Sequence, residues 1–122
     1  MKITHSSSDI TRIDRMAVDR VLNTNYVGYG PHARALETFL KKRTAHKSAF
    51  ALQSGFQALV LALRGLDLPA GSRVGLPALT CGTVAAAVRN AGLIPLLVDI
   101  RDDLTLDVTS LPANCAAVIA PH

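Results

Sequence analysis

The chain has 122 residues, of which 49% are hydrophobic and only 4% aromatic, and it contains no tryptophan. This length suits one domain with a modest core, and a core of Leu, Val, Ile and Ala favours an α/β fold over an aromatic-rich β-barrel. The formal net charge of +4 comes from scattered basic residues with one cluster, Lys41–Arg43, so no nucleic-acid partner is expected.

The N-terminus and the cysteines indicate the cellular compartment. The cysteines and the acidic residues indicate whether a metal site is present. The polar N-terminus does not resemble a secretory signal, and no apolar run reaches the roughly 18 residues that a membrane span needs. Cys81 and Cys115 show neither a C-x-x-C nor a zinc-ligand spacing. Asp102, Asp103 and Asp107 lack the spacing of a calcium loop and predict a turn. These features predict a cytoplasmic protein with free thiols, no metal and no membrane segment.

Two helices are predicted in the first part of the chain. Apolar residues recur at helical spacing over residues 9–23, and the stretch 6–9 is typical of a loop that ends in a helix cap. The segment 23–31 contains two glycines and a proline, which predicts a turn. Pro31 suits the first turn of a second helix.

Short apolar segments alternate with helices in the rest of the chain. Strands are predicted at residues 47–52, 72–77, 93–100 and 115–122, and helices at 54–66 and 80–92. This alternation predicts βαβ units around a largely parallel sheet. The uninterrupted apolar runs predict strands that are covered on both faces. The predicted fold is therefore three-layer α/β/α with a mainly parallel sheet.

The sequence predicts a single α/β domain over residues 1–122. An N-terminal helix and loop would occupy residues 1–30, and βα units would occupy residues 31–122. In the last predicted helix, Thr80 is the expected N-cap and Gly92 the expected residue after the C-cap.

The corner at Ser54-Gly55, between a predicted strand and a predicted helix, is a candidate anion site. The first turn of a helix has free N–H groups and the positive end of the helix dipole. Gly55 lets an anion approach the backbone, and the Ser54 hydroxyl can cap the helix or donate to an oxyanion. Most such corners are only caps, so the corner alone leaves both interpretations open. The sequence lacks the G-x-G-x-x-G and G-x-x-x-x-G-K-[ST] patterns, which argues against a dinucleotide fold and a P-loop.

The surrounding landmarks give the corner a context. They are the G-x-G-P loop with Glu37 and Phe39 beyond it, the SG-x-x-AL corner, the L-x-x-G-x-x-V-x-x-P strand, and AG-x-x-P-x-x-VDI followed by LTLD. In this order, over about residues 10–122, they resemble the N-terminal part of the DegT/StrS-type sugar aminotransferases. These are pyridoxal-phosphate (PLP) enzymes of fold type I, so the resemblance implies the N-terminal part of their large domain.

The resemblance also implies a cofactor, a substrate class and an assembly. Members of the family are homodimers with PLP at the subunit interface, and they transfer an amino group, often from glutamate, to a keto sugar carried on a nucleotide. By this resemblance Ser54, Gly55, Phe56 and Cys81 would contact the cofactor, with its phosphate on the Ser54-Gly55 corner.

Two of these residues depart from the family pattern. Phe56 stands where the family commonly has threonine, which removes a hydroxyl donor to the phosphate at a cost of about 1.5–3 kcal/mol. Phe56 could equally be a core residue. Cys81 stands where an aromatic ring often stacks on the pyridine, and a thiol offers less stacking area. Cys81 could equally be a small buried helix residue. A reactive thiol at a helix N-terminus is a further, less favoured alternative.

No catalytic residue is predicted in this chain. A transaminase needs a lysine for the Schiff base and an acid that pairs with the pyridinium nitrogen, and the family has both beyond the point that matches His122. Asp99 is not that acid. His122 matches a histidine that often follows this strand in the family, so the resemblance would place it at the border of the pocket; the alternative is a terminal residue with no role there. None of the four lysines is suitably placed: Lys2, Lys41, Lys42 and Lys47.

The sequence therefore predicts the N-terminal segment of a PLP-dependent aminotransferase for a nucleotide-linked keto sugar, inactive by itself. The alternative is a non-catalytic, truncated or degenerate relative that folds, dimerises or binds an anion.

Overall fold

A computed structural model describes residues 8–121 of the chain. These residues form two compact units, of which the first ends at Ala51 and the second begins at Leu52. The organisation of residues 1–122 as one domain, with a division near residue 30, stays a prediction. Within the described residues, no helix is long and apolar enough to cross a membrane.

The first unit contains two helices, α1 (Arg12–Leu22) and α2 (Pro31–Thr44). Helix α1 begins later than predicted because a capping box fixes its start: the Thr11 amide donates to Asp14 Oδ2 (2.8 Å), and the Asp14 amide donates to Thr11 Oγ1 (3.4 Å). Two free N–H groups are satisfied in this way. The predicted cap within residues 6–9 is therefore wrong at Asp9, while Ser6 and Ser7 lie outside the described residues.

Helix α2 begins as the sequence predicts. Pro31 lies in its first turn, and Gly30 is the N-cap without a side-chain hydrogen bond. Neither α1 nor α2 contains a buried residue, and Gly30 is the single buried residue among those described in the first unit. Their apolar side chains therefore lie on the surface of the described chain.

The strand predicted at residues 47–52 is not formed. The chain is irregular there, and no described strand pairs with it. An apolar run becomes a strand only when its backbone groups meet a neighbouring ladder. The Ala51 amide instead donates to the side chain of Glu37 (2.8 Å).

The second unit is an open parallel sheet with helices. Its elements are α3 (Gly55–Gly65), β1 (Arg73–Pro77), α4 (Gly82–Asn90), β2 (Ile94–Val98), a 3₁₀ turn (Val108–Ser110) and β3 (Cys115–Val118). The strand order is β2-β1-β3, and both neighbours of β1 run parallel to it. The predicted α/β class and parallel sheet are confirmed.

The core of the second unit lies between α3, α4 and β1. Its buried cluster consists of Leu63, Val74, Leu76, Val84, Val88 and Leu93. The prediction of strands covered on both faces holds for β1, of which four of five residues are buried. It is wrong for β2 and β3 in the described chain, because both are edge strands: Leu97 is 66% exposed and Val118 is 43% exposed.

The sequence also predicts the ends of α4 and an acidic turn in this unit. Thr80 is not the N-cap of α4: the helix begins one residue later, with Cys81 as N-cap and no side-chain cap bond. Gly92 follows the C-cap with a φ of +81°, as predicted. The predicted acidic turn is also confirmed, since Asp103 Oδ1 accepts from the Thr105 amide (3.0 Å) inside an antiparallel bridge between Ile100 and Leu106.

Candidate functional site

The Ser54-Gly55 corner has the geometry of a capped helix start with free donors. Ser54 has an extended backbone, and its Oγ accepts from the Gln57 amide (3.2 Å) while its carbonyl accepts from the Ala58 amide (3.0 Å). The N–H groups of Gly55 and Phe56 have no acceptor inside α3, because the first N–H groups of a helix lie outside its hydrogen-bond ladder. The corner therefore presents backbone donors and the positive end of the α3 dipole to one position.

Gly55 leaves this corner open. A Cβ built on Gly55 would meet no atom within 4 Å, and its φ is not positive. Neither packing nor backbone conformation therefore requires a glycine at the first residue of α3. The same holds for Gly82, the first residue of α4. Both helix starts are thus accessible to a ligand that approaches the backbone.

The two helix starts lie at the same end of a parallel helix pair. Helices α3 and α4 pack against each other, and Arg64 near the end of α3 donates from Nη2 to the carbonyl of Asn90 at the end of α4 (3.0 Å). Since their C-terminal ends meet, their N-terminal ends share the opposite side. Helix α4 follows the end of β1 by a short turn, so this side is the carboxyl edge of the sheet, where open α/β sheets bind ligands.

Cys81 is exposed at the start of α4. Thr83 Oγ1 donates to Cys81 Sγ (3.1 Å), and this hydrogen bond, together with one from the Thr83 backbone, lowers the pKa of the thiol. Cys81 is therefore not a buried helix residue. Its sulfur is accessible at the start of α4.

Phe56 is half-buried and does not belong to the core cluster or to the side chains packed against it. The structure thus brings Ser54, Gly55, Phe56 and Cys81 to one end of the α3–α4 pair. Their contact with a cofactor stays a prediction.

The lysines are absent from this part of the chain. Residues 52–121 contain none, while Lys41 and Lys42 lie in the last turn of α2 and Lys47 lies in the irregular segment after it. The Asp99 carboxylate accepts from the adjacent Ile100 amide (2.9 Å). Lys2 and His122 lie outside the described residues. No group of His, Cys, Asp or Glu in residues 8–121 is arranged to hold a metal ion.

Sequence reasoning missed a contact that precedes the corner. Glu37, noted only as a family landmark, accepts hydrogen bonds from the Tyr29 hydroxyl and from the Ala51 amide. It is the only glutamate in the sequence. Being the only glutamate is a weak indication that Glu37 has a specific role. Nothing in the local sequence pattern predicts a hydrogen-bond partner 14 residues away.

The fold of the described residues matches part of the fold type I class of PLP-dependent enzymes. Residues 8–120 match the model of the DegT/DnrJ/EryC1/StrS aminotransferase family, and the chain belongs to this family.

Solved structures of aminotransferases and of a sugar dehydratase are among those similar to the chain. A Streptococcus pneumoniae protein provisionally described as a sugar aminotransferase, solved in a PLP form, is 27% identical with a TM-score of 0.83, over 97% of this chain and 31% of its own. An aminotransferase from Psychrobacter cryohalolentis is 28% identical with a TM-score of 0.82, over 92% and 30%. E. coli GDP-4-keto-6-deoxy-D-mannose-3-dehydratase with bound hydrated PLP shares the fold at 23% identity, with a TM-score of 0.82 over 94% and 32%. The chain thus spans about a third of their length.

Proposed function

We propose that this chain is the N-terminal segment of a PLP-dependent aminotransferase that acts on a keto sugar carried on a nucleotide. The family match supports aminotransfer, and the similarity to a provisionally described sugar aminotransferase supports a sugar substrate. The nucleotide carrier is suggested by the GDP-sugar dehydratase of the same fold. The amino-acid donor and the cytoplasmic location stay predictions from the sequence.

The Ser54-Gly55 corner carries the cofactor assignment. A phosphate monoester fits it, because the free Gly55 and Phe56 amides, the Ser54 hydroxyl and the α3 dipole all favour a negative charge there. The space that Gly55 leaves open admits the phosphate oxygens. Phe56 supplies only its amide, so the corner has one hydroxyl donor fewer than a threonine would give.

The remaining residues of the site would bind and orient the cofactor. PLP, when bound, supplies the electron sink that amino-group transfer requires. Cys81, at the start of the neighbouring helix, would contact the pyridine ring with a small polarisable sulfur. We assign no proton transfer to residues 52–121, since they contain no lysine, and we expect the isolated chain not to transaminate.

Titration of the chain with PLP and with pyridoxal tests the corner. We expect saturable binding of PLP and at least about tenfold weaker binding of pyridoxal, which lacks the phosphate and its charge-assisted hydrogen bonds. Equal affinities would contradict the corner as the phosphate site. Aminotransferase turnover by the 122-residue chain would contradict the expectation that it is inactive by itself.

A non-catalytic relative is the second candidate. Phe56 and Cys81 favour it, because each replaces a side chain that the family uses toward the cofactor. Binding of inorganic phosphate with no preference for PLP would support a plain anion-binding role over the aminotransferase.

A further inference from the structure

A hydrogen-bonded network in the first unit joins the loop before α2, helix α2 and the segment after it. The Tyr26 hydroxyl donates to the Tyr29 carbonyl (2.8 Å), and the Tyr29 hydroxyl donates to Glu37 Oε2. The other carboxylate oxygen, Oε1, accepts from the Ala51 amide (2.8 Å). One carboxylate therefore connects three segments of the chain.

The loop side of the network depends on glycine. The Tyr26 ring packs on the loop backbone, and a Cβ on Gly30 would lie 3.0 Å from its Cε1 atom. Any larger residue at position 30 would push the ring away. Because the Tyr26 hydroxyl also bonds the Tyr29 carbonyl, the ring holds Tyr29 beside α2.

The hydrogen bonds to Glu37, with one nearby positive charge, favour its ionised form by lowering its pKa. The Tyr29 hydroxyl, then the Ala51 amide and then the Arg34 charge lower the pKa of Glu37. The same bond to Glu37 raises the pKa of Tyr29. Arg34 lies over the Tyr29 ring, 5.8 Å from its centroid. Lys41 and Lys47 are further charged groups, and they line a groove of about 230 Å³ beside Glu37.

The bond to Ala51 matters because it is the only hydrogen bond that the backbone of residues 47–53 makes within the described chain. The two units join at Ala51–Leu52, and Ser54 follows three residues after Ala51. A restraint at Ala51 therefore acts on the chain just before the corner.

We infer that Glu37 is a positioning residue that holds the Ala51 amide and so fixes the chain leading to the Ser54-Gly55 corner. Tyr29 in turn orients the Glu37 carboxylate. The inference rests on the proposed binding of a phosphate at that corner. Glu37 does not touch the cofactor, and its effect reaches the phosphate through the backbone.

Amide signals of the labelled chain test the contact without any ligand. In the wild type the Ala51 amide proton shift should titrate with the Glu37 carboxylate, below the ordinary value of 4.5. Glu37→Ala should abolish this titration and increase hydrogen exchange at the Gln57 and Ala58 amides, which donate to Ser54 Oγ and to the Ser54 carbonyl. Thr38→Ala, which removes a neighbouring α2 side chain with only a local bond to the Arg34 carbonyl, should change neither.

PLP affinity tests the consequence. Glu37→Ala should weaken PLP binding about tenfold, the worth of a charge-assisted hydrogen bond, with its helix content unchanged. Glu37→Gln keeps an oxygen that can accept from the Ala51 amide, so it should recover most of that affinity. Thr38→Ala should bind as the wild type does.

The outcomes separate this inference from the proposed function. If the wild type binds PLP and Glu37→Ala binds it equally well, the positioning role is wrong. If the wild type binds no PLP, the assignment of the Ser54-Gly55 corner as the phosphate site is wrong. The role of Glu37 is then decided by the Gln57 and Ala58 amides, and unchanged exchange of both in Glu37→Ala would refute it.

Discussion

At the scale of single residues, the sequence predicts roles that depend on immediate neighbours. Ser54 and Gly55 stand before an apolar helix, and the cap follows from that order because its partners lie within four residues. The Glu37–Ala51 bond could not be predicted, since it joins a helix to an irregular segment 14 residues away. The exposure of Cys81 and its hydrogen bond from Thr83 could not be predicted either, because both depend on where α4 begins.

Gly75 gives a test of packing at this scale. A Cβ on Gly75 would lie 2.9 Å from Leu111 Cδ2 and 3.1 Å from Cys115 Sγ, so Gly75→Ala overpacks this face of the sheet. We expect a loss of about 1–3 kcal/mol in the free energy of unfolding, measured by denaturant titration. Gly65→Ala, where the added methyl group meets open space, is the matched control. Equal stability of the two variants would show that Leu111 moves aside without cost.

At the scale of elements, the sequence predicts the helices and a parallel sheet. It does not predict which strands pair or at which residue each helix begins. The sequence predicts all four helices, and the alternation of strands and helices predicts a parallel sheet. The apolar segment 47–52 has the composition of a strand, but composition cannot supply a hydrogen-bonding neighbour. The start of α1 moved to Arg12 because Thr11 and Asp14 form a reciprocal cap that outweighs the polar stretch before it.

The capping box of α1 can be tested directly. Thr11→Ala removes the hydroxyl that bonds the Asp14 amide and carboxylate, and it should cost about 1 kcal/mol of helix stability. The pKa of Asp14, which is lowered mainly by the Thr11 hydroxyl, should rise toward 3.8 in the variant. The stabilisation that this bond gives is present above that value and is lost as the pH falls through the lower folded pKa. An unchanged Asp14 titration, followed by carboxyl NMR shifts, would contradict the capping box.

At the scale of the whole molecule, each unit exposes apolar surface that a partner can cover. In the first unit Ile13 is 74% exposed and Phe39 is 60% exposed, although amphipathic helices gain most of their stability from packing. We propose that a second copy of the chain covers this surface, which would form the homodimer that the family resemblance implies. Sedimentation over a concentration series should show a dimer that Ile13→Ser weakens and the neighbouring Arg12→Ser does not. A wild-type chain that is monomeric at every concentration would contradict this proposal.

The central claim is that the Ser54-Gly55 corner binds the phosphate of PLP, and the PLP affinity of Gly55→Ala tests it most directly. The added methyl group meets no protein atom, so the fold should be kept and α3 stabilised by up to about 1 kcal/mol. The methyl group would nevertheless obstruct the phosphate, and PLP affinity should fall at least about tenfold. Gly65→Ala, at the other end of α3, should bind PLP like the wild type. Unchanged affinity in a stably folded Gly55→Ala variant would contradict the claim.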